Sequence, residues 1–99
     1  MGSPSLLKEK VSRIMVTLHN KAGLHSRPVG AFARVAKSFM STITVKHHDQ
    51  EVDGKKQLSL LQLDAHQGAF LQIEAVGDDA AEATQALLDL IRNKFGEPE

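Results

Sequence analysis

The residues whose types and spacing could do chemistry lie together in Gly23-Leu24-His25-Ser26-Arg27-Pro28. This order puts a histidine at the mouth of a helix. Pro28 suits the first helical position, where its missing N–H costs nothing and its fixed φ is already helical. The free N–H groups of the first turn, those of Ser26 and Arg27 among them, then lie beside the His25 ring. A helix start favours negative charge and holds phosphate well. The Arg27 guanidinium adds a planar fork for phosphate oxygens. A nucleophilic imidazole beside an anion site is what a phosphohistidine requires.

The remaining histidines carry no comparable setting. His19 falls at a strand end, His47-His48 near a hairpin and His66 in a turn. A metal site needs three or four converging ligands with supporting contacts. Here the histidines belong to separated elements and the chain has no cysteine, so no metal is expected. Ser26 adjoins His25, but adjacency in sequence is not the geometry of a hydrolase triad. Gly54-Lys55-Lys56 lacks the upstream glycine and the following Ser or Thr of a nucleotide-binding loop. No cofactor is expected either.

A length of 99 residues suits one domain and is too short for two. Twelve basic residues balance twelve acidic ones, which argues against nucleic-acid binding driven by bulk charge. No Trp or Tyr is present to stack on bases. Without cysteine there is no disulfide scaffold. No apolar run approaches the roughly 18 residues of a membrane span. Leu6-Leu7 runs straight into Lys8-Glu9-Lys10, which is no signal-peptide core. These features point to a soluble cytoplasmic protein. Residues 1–10 read as a leader or tag-derived segment, and 11–99 as the folded domain.

The elements that must position the motif follow from periodicity. Arg13 to His19 alternates, with Ile14, Val16 and Leu18 to one side, and reads as a half-buried strand. Asn20-Lys21-Ala22-Gly23 is a turn. A helix from Ser26 to Phe39 carries Val29, Phe32, Val35, Ala36 and Phe39 as its core stripe. Gly30 sits within it at a cost of up to about 1 kcal/mol. Thr42 to His47 is a second strand, and Glu51-Val52 marks a short third. Asp53 is expected to cap a short helix, Lys56 to Leu63, with Leu58, Leu60, Leu61 and Leu63 as its apolar residues. Gln67-Gly68 turns into a fourth strand, Phe70 to Val76. For the last helix Asp79 is the expected N-cap, paired with Glu82 in a capping box. Its stripe is Ala83, Ala86, Leu87, Leu90 and Ile91, and Gly96 closes it at C′. The order β-α-β-β-α-β-α describes an α+β open-faced sandwich, a four-stranded antiparallel sheet with helices on one face.

The hexapeptide from Gly23 to Pro28 resembles the active-site signature of HPr, the histidine-containing phosphocarrier family of the bacterial sugar phosphotransferase system. The resemblance spans roughly Val11 to Gly96 and implies the same sandwich. It implies that His25 is the phosphorylated histidine, modified at Nδ1, and that Arg27 is the active-site arginine. Ser26 and the N–H groups of Ser26 and Arg27 correspond to the phosphate cradle. An enzyme I-like donor and enzyme IIA-like acceptors are the implied partners, with no nucleic acid, no membrane insertion and a monomeric state. The family's partner surface would fall on Gly30, Arg34, Leu58, Leu61 and Gln62. Core packing is the competing role for Leu58 and Leu61. A regulatory module of the same fold, on a nitrogen-type branch, is the alternative function.

One departure stands out. Many Gram-positive members carry a regulatory serine at the start of the short helix. An ungapped alignment from His25 puts Lys56 there, so serine-kinase control at that position is excluded. Ser59, one turn later, is away from the helix start, where phosphate is best accommodated.

Overall fold

The computed structural model describes residues 10–99, and residues 1–9 of the expected leader lie outside the described residues. The elements are β1 (Val11–Thr17), α1 (Ser26–Lys37), β2 (Thr42–His47), β3 (Gln50–Asp53), α2 (Gln57–Gln62), β4 (Phe70–Val76) and α3 (Ala80–Arg92). A 3-10 turn, Lys94–Gly96, follows. The strands form one antiparallel sheet in the order β1-β4-β2-β3.

Alternation along the strands sets the register, because a one-residue slip would turn every apolar side chain to water. Ile14 pairs with Ile73, Ile73 with Val45, and Val45 with Val52, so one apolar row crosses all four strands. Val16, Leu71, Ala75 and Ile43 extend the apolar set. The helices cover it with Phe32, Ala33 and Ala36 from α1, Leu60 from α2, and Ala83, Leu87 and Ile91 from α3. This is the expected α+β sandwich. No helix among the described residues is long and apolar enough to cross a membrane.

Several ends differ from the sequence reading. β1 starts at Val11 and stops at Thr17. Leu18 is still buried, but its backbone bonds to Gly68 and Ala69 in the loop before β4. The Lys10 carbonyl already accepts from the Gly77 N–H. α1 ends at Lys37, two residues before Phe39, because the Ser38 and Phe39 N–H groups close tight turns onto Val35 and Ala36. In α3, Ala86 and Leu90 are only half-buried, while Ala80 and Thr84 are buried. The Thr84 hydroxyl meets that of Ser12 at 2.7 Å, which ties α3 to the edge strand.

Three expected caps are made differently. Asp53 ends β3, and its Oδ1 accepts from the Lys55 N–H at 2.9 Å; Lys56 is the N-cap of α2. A short Asx turn thus replaces the cap. Asp79 stands at the N-cap of α3 but makes no side-chain bond to its own helix. Its carboxylate accepts from the N–H groups of Met40 and Ser41, at 2.8 and 2.9 Å, and from the Ser41 hydroxyl. The capping box is therefore absent. Gly96 is not C′ of α3: Asn93 is the C-cap, and Lys94 and Phe95 then take left-handed φ of 54° and 57°. Burial of the Phe95 ring holds this turn against the core.

Candidate functional site

The site is built on the loop from Leu18 to His25. Gly23 turns the chain there with φ +66°, and a Cβ at this position would lie 2.6 Å from the Ala65 carbonyl oxygen. Only glycine fits both the dihedral and the approach. The next residue, Leu24, is buried and donates its N–H to the Ala65 carbonyl at 2.8 Å. Pro28 and Val29 are buried on the far side. His25 is thus held between anchored neighbours while its own side chain is exposed.

His25 is the N-cap of α1, with extended backbone at φ −124° and ψ −166°. Its carbonyl accepts the first helical bond, from the Val29 N–H at 2.9 Å. Pro28 is therefore the third helical residue rather than the first. The orphan donors of a helix start extend through that third position, so proline loses nothing there. The arithmetic of the first turn is simple. Pro28 has no N–H and that of Val29 is used, which leaves those of Ser26 and Arg27 pointing out of the helix start. No side chain caps this end and no acidic residue lies in the first turn. Arg27 is exposed and makes no ion pair among the described residues. It borders a hollow of about 340 Å³ shared with Lys21, Ala22, Glu97, Pro98 and Glu99.

The expected partner surface splits along α2. Leu58 is 75% and Leu61 40% exposed, whereas Leu60 and Leu63 are buried. The first pair faces solvent and the second fills the core, which removes core packing as the role of Leu58 and Leu61. Arg34 and Gln62 are also exposed. Gly30 is half-buried on α1 facing α2, and a Cβ there would meet Gln57 Nε2 at an ordinary 3.6 Å. Packing within the chain does not demand glycine at this position.

Of the other histidines, His66 comes near the site, where its backbone packs against Gly23. The His47 and His48 rings lie with centres 4.1 Å apart and tilted by 46°, and His66 lies 3.2 Å from Asp64. No three His, Asp or Glu side chains converge as a metal site among the described residues. Sequence reasoning missed Asn20, which it placed in a turn. Asn20 is fully buried, and its Nδ2 donates to the Gly23 carbonyl at 2.9 Å and to Glu97 Oε1 at 3.0 Å. The bond to Gly23 is local, but that to Glu97 has no local signal, because this partner arrives from the far end of the chain.

A helix start stripped of acidic groups, with an exposed imidazole and a guanidinium beside it, can hold a phosphoryl group on nitrogen. Comparison with known proteins agrees with this chemistry. Residues 12–93 match the family model described as the PTS HPr component phosphorylation site. The phosphocarrier protein HPr of Neisseria meningitidis serogroup A is 39% identical over 94 residues, covering 95% of this chain and 100% of that protein. The phosphocarrier protein NPr of Proteus mirabilis is 34% identical over 83 residues, covering 83% of this chain and 92% of that protein. Among solved structures, HPr-C-His from Thermoanaerobacter tengcongensis superposes with a TM-score of 0.86 at 38% identity, covering 89% of this chain and 99% of that one. The chain belongs to the HPr family, the phosphoryl carriers that stand between enzyme I and enzyme IIA in sugar uptake by the phosphotransferase system, and is not itself an enzyme.

Proposed function

We propose that His25 is the phosphoryl acceptor of this carrier. Its imidazole nitrogen attacks the phosphorus of an enzyme I-type phosphohistidine. A new N–P bond forms as the donor's N–P bond breaks, and the charge stays on the three equatorial oxygens. The N–H groups of Ser26 and Arg27 and the Arg27 guanidinium receive those oxygens. A site of a few backbone donors and one arginine binds phosphate without trapping it, as onward transfer to an enzyme IIA-type acceptor requires. The observation that carries the reading is the helix start itself: an exposed N-cap histidine, two open donors and no acid in the first turn.

The exposed Arg34, Leu58, Leu61 and Gln62, with the half-buried Gly30, make up the proposed docking surface for both partners. Exchange between them favours a small, transient contact. The protein would work as a cytoplasmic monomer. A second reading keeps the chemistry but assigns the chain to a nitrogen-type branch, supported by its identity to NPr. Comparing phosphorylation by enzyme I with that by a nitrogen-type counterpart separates the two. With Lys56 at the N-cap of α2, neither reading includes control by a serine kinase at that position.

The test is incubation with enzyme I and phosphoenolpyruvate, followed by intact mass and acid lability. Wild type gains one acid-labile, alkali-stable phosphoryl group. His25→Ala gains none and keeps its fold, because the side chain is exposed. An acid-labile adduct on His25→Ala would overturn the assignment.

A further inference from the structure

Asn20 is the one fully buried carboxamide next to the phosphoryl-accepting loop. Both of its hydrogen-bond partners, the Gly23 carbonyl and the Glu97 carboxylate, are acceptors. Only the NH2 end can serve both, so the orientation of the amide is fixed by its neighbours. The backbone repeats the link, since the Gly23 N–H donates to the Asn20 carbonyl at 3.2 Å. The turn from Asn20 to Gly23 is thus closed by main chain and side chain together, two residues before His25. An apolar side chain could fill this space without the desolvation cost of a buried amide. The donors of Asn20, rather than its volume, explain its presence.

Glu97 reaches Asn20 through the turn Lys94–Gly96. Two successive non-glycine residues there hold left-handed dihedrals, a conformation that persists only where the surroundings enforce it. The buried Phe95 ring enforces it here. Downstream, the Lys21 N–H donates to the Glu99 carbonyl at 3.1 Å, and Lys21 Nζ lies 3.4 Å from the Glu99 carboxylate. Residues 97–99 are therefore laid along the loop that presents His25.

We propose that Asn20 and Glu97 are a positioning pair for phosphoryl transfer: the buried carboxamide locks the turn ending at Gly23 and ties it to residues 97–99, so that docking of this segment sets the aim of His25. The proposal rests on His25 being the acceptor. Small errors of aim are expensive in a step that depends on in-line geometry, where about 1 Å can cost up to about a hundredfold in rate.

The experiment measures kcat and KM of enzyme I with the full chain as phosphoryl acceptor, with the phosphate mapped by mass spectrometry. Glu97→Ala should lower kcat about ten-fold and change KM less than about two-fold. Glu97→Gln keeps an acceptor oxygen and should recover most of the rate, which a lost charge alone would not allow. Asn20→Ala should act in the same direction, and adding Glu97→Ala to it should cost little more. Where Asn20→Ala does not fold, the Glu97 pair decides. Wild-type kcat in Glu97→Ala, or failure of Glu97→Gln to recover it, overturns the positioning pair. If wild type carries no phosphate on His25, the functional reading itself fails; if it does and Glu97→Ala is unaffected, only the positioning pair fails.

Discussion

The two long helices of this protein begin in opposite ways. α1 starts at His25 with no side-chain cap and no acidic residue in its first turn. α3 starts at Asp79 and carries Glu82 in its first turn. Acid at a helix start ordinarily stabilises it by about 0.3–1 kcal/mol. α1 forgoes that stabilisation and keeps its positive end and two N–H donors open to an incoming anion. At α3 the acid also works outward. Asp79 gathers the loop between α1 and β2 through Met40 and Ser41. Neither start has a side-chain cap; the difference is the acid, absent from α1 and turned at α3 toward the loop before β2.

Making α1 resemble α3 should break the difference most severely. Ser26→Asp places a carboxylate where the phosphoryl oxygens would sit. It should cut phosphoryl acceptance by about a hundredfold while leaving the melting temperature equal or slightly raised. Rapid-quench transfer assays with thermal melts of the same sample check both halves. Removing the cation is the milder lesion. Arg27→Ala should still accept phosphate but transfer it roughly ten- to a hundredfold more slowly, and Arg27→Lys should recover only part of the loss, because a point charge does not replace the planar fork. Wild-type rates in Arg27→Ala would make the arginine incidental.

The α3 end should respond in stability alone. The hydrogen bonds from the Ser41 hydroxyl and then the Met40 N–H hold the Asp79 carboxyl below its ordinary value of 3.8. A depressed carboxyl contributes stability that is fully present above that ordinary value. The contribution is lost as pH falls below it through the folded-state value. Asp79→Asn should therefore melt lower than wild type at neutral pH, and the gap should close in acid. Phosphoryl transfer should be unchanged. A gap that persists undiminished at low pH would show that the carboxylate's charge is not what holds the loop.

Much of this was legible because periodicity is local. Ile14, Val16, Leu71, Ile73 and Ala75 alternate, Val29, Phe32 and Ala36 recur at helical spacing, and the order of elements follows from them. The hexapeptide marked a candidate site because a helix start, a histidine and an arginine fall within three residues of one another. What escaped depends on neighbours distant in sequence. Asp79 looks like a cap, but its carboxylate goes to the donors the fold brings near, the N–H groups of Met40 and Ser41. The three leucines of α2 and Leu63 at its C-cap are alike in type, and only the placement of α2 in the fold sorts Leu60 and Leu63 inward from Leu58 and Leu61 outward. Asn20 and Phe95 were missed for the same reason. Each is buried by the return of the chain after α3, which no local pattern encodes.

The contrast between the two helix starts can be read at single-residue level in one measurement. Backbone ¹H–¹⁵N spectra are recorded before and after phosphorylation by enzyme I, with the site assigned through the imidazole nitrogens. Donation to a phosphoryl group should move the Ser26 and Arg27 amides strongly downfield, with the phosphorus attached to the His25 ring. The amides of Ala80 to Glu82 at the start of α3 should stay in place. Phosphate on His19, His47, His48 or His66, or Ser26 and Arg27 amides that do not move, would contradict the claim that the uncapped start of α1 is the phosphoryl site.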